Sequence, residues 1–274
     1  MPFDVPEILT ADNSGRYTMS IRLQSGGLSF SGYVQGQPHS FFCRQTFFEA
    51  GQSYETALKE CFFANDFLAW DYREVRILPV SSRYTLVPRP LFDEDEKESL
   101  MSFTFFSPEA CLLSDTTCDE EAVLVFDMPP DIHAFCSRSF SRPRFIHPVA
   151  PQLTFFRRQS RISLPARMYG VVQDDVLHVF CFRSDRLLLA NTFAIVAVDD
   201  ILYYLLYIWR HIGFDQEKDE LHLFDNAGKY NRLFRTLSTY LRQIRPIEFP
   251  SEAYLLGTEM ERMPIDLRLL PVCV

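Results

Sequence analysis

No stretch of this chain reaches the ~20 consecutive apolar residues that a membrane-spanning helix needs. The longest candidate, Ile201 to Trp209, is interrupted upstream by Asp199 and Asp200. Glycine is scarce, at 10 residues against 17 prolines, which points to short connections and edge strands rather than long helices alone. Positive charge is in the minority, and the net charge of -9 argues against general affinity for nucleic acid or anionic membrane. No C-x-x-C pair occurs among the seven cysteines, at positions 43, 61, 111, 118, 136, 181 and 273. Their number is odd and several lie in apolar runs, so free thiols are expected rather than a disulfide framework or a zinc site. Met1 to Thr10 has neither the basic start nor the apolar core of a secretory leader, so the expected location is the cytoplasm.

What is present is enough for a large core. The 274 residues are 47% hydrophobic and include 26 Phe, and a chain of this length buries roughly three quarters of its extended surface. Leu177 to Phe182 and Leu187 to Phe193 are β-prone runs separated by Arg183, Ser184, Asp185 and Arg186, which predicts a hairpin. A helix is predicted next. Asp199 or Asp200 is placed to cap its first turn, Gly213 to end it, and the uncharged stretch before Arg210 predicts a helix buried on every face.

The amino-terminal half follows the same order. Tyr17, Met19, Ile21 and Leu23 alternate with polar residues as a half-buried strand does, and Gln24 to Gly27 form a tight turn before Leu28 to Val34 return. A third run spans Ser40 to Phe48, Ser53 caps a helix through Asn65, and Arg73 to Val80 reads as a strand. In the other half the strands are Arg167 to Val172, Val176 to Phe182, Leu187 to Phe193 and, after the helix, Leu221 to Phe224. First strand to helix cap is 36 residues in one half and 32 in the other, and cap to fourth strand is 20 and 22. Such matched spacing predicts a duplication, with halves at 1–160, carrying an inserted segment, and 161–274. Between and after them, helices are expected over Asp93 to Phe103, Asp131 to Ser137 and Lys229 to Leu241, and a strand over Ala122 to Phe126.

A three-stranded meander, a helix and a strand, present twice, resemble the ribonuclease H-like unit duplicated in the superfamily of actin, sugar kinases and heat-shock chaperone ATPases. Tyr17 to Tyr33 (YTMSIRLQSGGLSFSGY), Tyr84 to Phe92 (YTLVPRPLF) and Arg186 to Tyr207 (RLLLANTFAIVAVDDILYYLLY) resemble a Bacteroides-type family of uncharacterised proteins, domain of unknown function 3822. The resemblance covers nearly the whole chain and implies an α/β protein with an actin-like ATPase fold.

It also implies where ATP with magnesium would sit: between the halves, gripped by a hairpin turn from each. The corresponding residues are Ser25, Gly26 and Gly27, then Asp174 and Asp175, with Asp225, Asn226, Ala227 and Gly228 at the adenosine loop. Active superfamily members carry an Asp in the first strand, where this chain has Ser20 and Arg22, and Gly-rich turns where it has Gln173, Asp174, Asp175. Two carboxylates repel a phosphate unless a metal intervenes. The expectation is therefore no cofactor and a catalytically degenerate scaffold binding an unidentified protein partner; a drifted ATPase is the alternative.

Other patterns are weaker. Gly27 to Ser31 imitates a nucleophile elbow but lacks the last glycine and places Ser29 inside a strand. His133 and Cys136 lie one helical turn apart with no second ligand pair. Arg138, Arg142, Arg144, Arg157, Arg158, Arg161 and Arg167 fall between Asp131 and Asp174 with no acid among them. Their planar forks suit carboxylate or phosphate, so Arg142, Arg144, Arg157, Arg158 and Arg161 are candidates for an acidic partner or, as a third reading, an RNA backbone. Pairing with the chain's own acidic segments, Asp93 to Glu98 and Asp115 to Glu121, is the plainer expectation.

Overall fold

A computed structural model describes residues 5–109, 111–117, 121–225 and 231–273. The chain forms two compact units, one of residues up to 150 together with 251–272, the other of 151–250. The carboxyl-terminal segment thus sits with the first sheet, although order along the chain associates it with the second.

In the first unit, β1 (Thr18–Gln24), β2 (Gly27–Tyr33) and β3 (Phe42–Phe47) form the meander, followed by α1 (Tyr54–Phe63) and β4 (Glu74–Pro79). An insertion follows: β5 (Tyr84–Pro88), α2 (Lys97–Thr104), β6 (Cys111–Thr116) and β7 (Ala122–Met128) make a separate antiparallel sheet of order β5-β7-β6. After α3 (Pro130–Ser139), the two-residue β8 (Arg144–Phe145) completes the main sheet in the order β3-β2-β1-β4-β8, with β4 parallel to β1.

The chain enters the second unit through α4 (Val149–Arg161). Strands β9 (Arg167–Gln173), β10 (Val176–Arg183) and β11 (Arg186–Ala194), helix α5 (Val198–Ile212), β12 (Glu220–Asp225), α6 (Asn231–Leu237) and β13 (Gln243–Pro246) follow. The sheet order is β11-β10-β9-β12-β13, the same topology as the first sheet. Two short elements close the chain, α7 (Ser251–Leu255) and α8 (Ile265–Cys273).

Alternation decides the faces of each sheet. Met19, Ile21 and Leu23 pack with Leu58, Cys61, Ile132 and Phe135 of α1 and α3, while Ser20, Arg22, Gln24 and Arg76 point to the opposite, also buried, side. In the second unit Met168, Leu177 and Val179 pack with Ile201, Leu205 and Trp209 of α5. Tyr169 and Phe180 face the other way and hold Phe156 of α4 at ring separations of 4.3 and 5.2 Å.

Two local expectations are corrected. Helix α5 is not buried all round: Ile201, Leu205, Ile208 and Trp209 form the buried stripe, while Tyr203 and Tyr207 are 60% and 55% exposed. Tyrosine counts as apolar by composition, yet its hydroxyl end tolerates water. The cap is also shifted. Ala197 is the N-cap, and Asp200 at the third helical position accepts from the amides of Val196 and Ala197 at 2.9 and 2.8 Å. Gly213 ends the helix in the left-handed conformation, φ 76°, as expected.

Candidate functional site

The first hairpin turn is built by its two glycines for different reasons. Gly26 takes φ 70° with open space around it, the conformation that a side chain strains. Gly27 is buried where a Cβ would lie 2.3 Å from the carbonyl oxygen of Thr46, so the close approach of β3 alone requires glycine there. Ser25 is exposed beside them. Both glycines are accounted for by the hairpin itself.

Ser25 borders a pocket of about 320 Å3 in the first unit, at the carboxyl ends of the parallel strands β1 and β4. Strand ends of this kind are where open α/β sheets hold ligands. Leu23, Pro79, Val80 and Ile132 make its walls apolar. Tyr54 lines it too; its hydroxyl donates to the Gly27 carbonyl at 2.8 Å, and burial pushes its pKa up. The polar corner is Arg83 against Asp127: Nε donates to both carboxylate oxygens at 3.2 and 3.0 Å, and Nη2 to Oδ2 at 2.8 Å. Asp127 also accepts the Glu109 amide at 2.8 Å. The sequence reading passed over this pair, although a lone carboxylate in the apolar run Ala122–Met128 is itself a signal of a buried partner.

The pocket contains no histidine beside Ser25 or Ser81 to act as their base. Among the described residues no group of three or more His, Cys, Asp or Glu is placed to hold a metal ion. The recess is suited to binding an apolar group next to a fixed, half-exposed guanidinium.

The polar side of the first sheet is occupied by protein. Arg22 Nε donates to Asp266 Oδ2 at 2.7 Å and Nη1 to Gln24 at 2.8 Å, with both charged side chains excluded from solvent. Arg76 donates to Glu74 at 3.0 Å and to the Leu270 carbonyl of α8 at 3.4 Å.

In the second unit the equivalent turn places Asp174 and Asp175 in the left-handed region, φ 53° and 58°, the geometry of a type I′ hairpin turn. Both are exposed. Gln173 Nε2 donates to Asp174 at 3.0 Å, and the Asp175 carbonyl accepts the Ile195 amide at 2.9 Å. Asp225 is the last residue of β12; Asn226, Ala227 and Gly228, together with Lys229 and Tyr230 of the expected helix, lie outside the described residues.

The arginine stretch is divided between the units. Arg142 and Arg144 belong to the first; Arg157, Arg158 and Arg161 lie on the last turns of α4 in the second. Arg144 pairs with Glu74 at 3.3 Å and Arg167 with Glu220 at 2.8 Å, carboxylates outside the two acidic segments expected to receive them. Within those segments Glu94 pairs with Lys97, and Asp115 accepts the His147 amide at 3.2 Å. Burial pushes the Asp115 carboxyl up to about 6 against the pull of that amide and of Arg144. Glu220 also meets His222 at 3.0 Å and Arg245 at 3.3 Å. Burial holds His222 below its ordinary pKa despite Glu220, so this second cluster is an internally balanced one.

The chain is similar to a Bacteroides thetaiotaomicron VPI-5482 protein of actin-like ATPase fold and unknown function, at 28% identity over 97% of this chain and 99% of that one, with a TM-score of 0.83. The PilM-PilN type IV pilus biogenesis complex contains a chain similar at 13% identity, covering 92% of this chain and 97% of that chain with a TM-score of 0.52, a likeness of fold alone. No curated protein matches the sequence. Two sheets of identical topology, each made from a meander, a helix and a parallel strand, agree with this fold. The family described as Protein of unknown function (DUF3822) matches residues 6–244, and the chain belongs to it.

Proposed function

We propose that the protein is a catalytically degenerate actin-like scaffold that binds a protein partner and does not turn over nucleotide. The observation that carries this is Arg22. Where the resemblance to active superfamily members calls for an acid on the first strand, β1 has a buried cation already neutralised by Asp266. A guanidinium so engaged neither positions a metal nor reaches a phosphate. The turn at Asp174 and Asp175 adds two exposed carboxylates where a phosphate would need amides. In the first unit, the apolar recess beside Arg83 and Asp127 offers a partner's side chain a site without a catalytic group. That this fold occurs in the PilM-PilN complex fits an assembly role. The six described cysteines are free thiols, which supports a reducing, cytoplasmic setting; cell fractionation that recovers the protein elsewhere would refute this.

The test is a thermal-shift and calorimetric titration with ATP, ADP and GTP, with and without magnesium. No shift is expected at millimolar nucleotide. A magnesium-dependent gain near ~2.7 kcal/mol, as a ligand at about a hundred times its dissociation constant gives, would overturn the proposal in favour of a working ATPase site.

A further inference from the structure

The chain's charge is concentrated in one place. Residues 84–128, the insertion that carries β5, α2, β6 and β7, hold eleven Asp or Glu against Arg89 and Lys97, a net charge of -9 that equals the net charge of the whole chain. Everything outside this segment therefore sums to neutral. Among the described residues, the exposed Asp93, Asp95, Glu96, Glu98 and Glu109 of the insertion have no cation partner, whereas Glu94 pairs with Lys97. A surface of one sign attracts a partner of the other.

The same insertion sets bare aromatic rings beside the recess at the carboxyl ends of β1 and β4. Phe103, on the last turn of α2, and Phe106 just beyond it are 94% and 97% exposed. The residues on either side of Phe106 are tied to the polar corner of the recess. The Arg83 guanidinium lies over the Phe105 ring, 5.4 Å from its centre, and Arg83 Nη2 donates to the Ser107 carbonyl at 2.9 Å. Two residues on, the Glu109 amide donates to Asp127 at 2.8 Å, and Glu109 itself lines the recess. Arg83 and Asp127 neutralise each other, so the exposed Glu109 carboxylate gives the lining its net charge. An apolar recess continuous with two water-exposed phenylalanines and rimmed by acid has the composition of a protein-binding surface.

We propose that this surface docks an extended segment of a partner protein in which one apolar residue is flanked by lysine or arginine. The inference rests on the scaffold reading above and supplies the chemistry of its partner. The apolar residue enters between Leu23, Val80 and Ile132. At about 320 Å3 the recess is at the small end of ligand pockets, a size that suits one anchoring side chain. The basic neighbours of the anchor meet Glu109, and the field of the insertion steers the segment in. Phe103 and Phe106 lie along the rim, where their faces take the cationic groups and the methylene stems that carry them. An acidic or phosphorylated segment meets the same charge as repulsion and is excluded.

The experiment is selection of random peptides displayed on phage against the immobilised full chain, followed by calorimetric titration of the most enriched sequence as a synthetic peptide. Enriched peptides are expected to share an apolar residue with lysine or arginine close on either side. Val80→Phe fills the recess and is expected to abolish binding. Glu109→Lys is expected to weaken the peptide by about tenfold. The double change Phe103→Ser with Phe106→Ser is expected to do the same, with no loss of melting temperature, because both rings are already in water. A selection that yields no specific binder overturns the proposal, and so do enriched peptides with neutral or acidic flanks. A basic peptide indifferent either to Glu109→Lys or to the paired phenylalanine change also overturns it. Should Val80→Phe fail to fold, these exposed positions decide alone. The scaffold reading is tested separately by the nucleotide titration: a failed selection without a nucleotide-dependent shift strikes only the chemistry assigned to the partner.

Discussion

Arg22 on β1 and Asp266 on α8 lie 244 residues apart in sequence and 2.7 Å apart in space, both shut off from solvent. Removing one partner strands the other as a buried, unpaired charge, which costs about 3–5 kcal/mol, whereas replacing both with apolar residues of similar size is near neutral. Arg22→Met and Asp266→Leu are each expected to lower the urea midpoint sharply, and the double variant to recover most of the loss. Equal and additive losses would show that the two side chains do not act as a pair.

The two glycines of the first turn are expected to respond differently. Gly26→Ala meets only backbone strain and costs about 1–2 kcal/mol. Gly27→Ala drives a Cβ against Thr46 and into the β2–β3 pairing, so it is expected to exceed the ~1–3 kcal/mol usual for overpacking. Chemical denaturation of both variants checks the order.

Asp175→Gly is expected to stabilise the protein. The residue sits at φ 58° in an exposed type I′ turn beside a second carboxylate, a position where glycine relieves both strain and repulsion, for a net gain of about 0.5–1 kcal/mol. Calorimetry should find a higher melting temperature. A lower one would mean that the carboxylate has a role which hairpin geometry does not explain.

Asp115 makes stability depend on pH. Its folded pKa is raised to about 6 from 3.8, so the folded state binds the proton more tightly than the unfolded chain does. The stability this contributes is complete below about pH 4 and is lost as pH rises through about 6. Asp115→Asn is expected to be more stable than wild type by about 1–2 kcal/mol at pH 7, with the advantage fading as pH falls towards 4. A constant difference across that window would rule out titration of Asp115 as the cause.

Much of the scaffold was legible in the sequence. Period-two alternation at Tyr17–Leu23 and the short turns at Ser25–Gly26 and Asp174–Asp175 specify the hairpins, and their observed registers agree. The repeated order of elements anticipated two sheets of one topology. The segments between and after the halves were harder. Helix α4 carries Gln152, Thr154 and three arginines among its apolar residues, and no element was anticipated there. Helix α8 contains Pro271 and was missed, as was the fifth strand of each sheet.

Local geometry is written in short windows of the chain, because turns, alternation and capping depend on residues within a few positions of one another. The rest came with tertiary packing. It turned a polar face of the first sheet inward and gave Arg22 its counter-ion from the far end of the chain. It divided the tyrosine-rich α5 into a buried stripe and an exposed row. It brought Leu255, Leu256 and Glu259 from the far end of the chain against the segment that leads into β3. Each of these depends on which distant segment arrives to exclude water, and no short window of sequence contains that information.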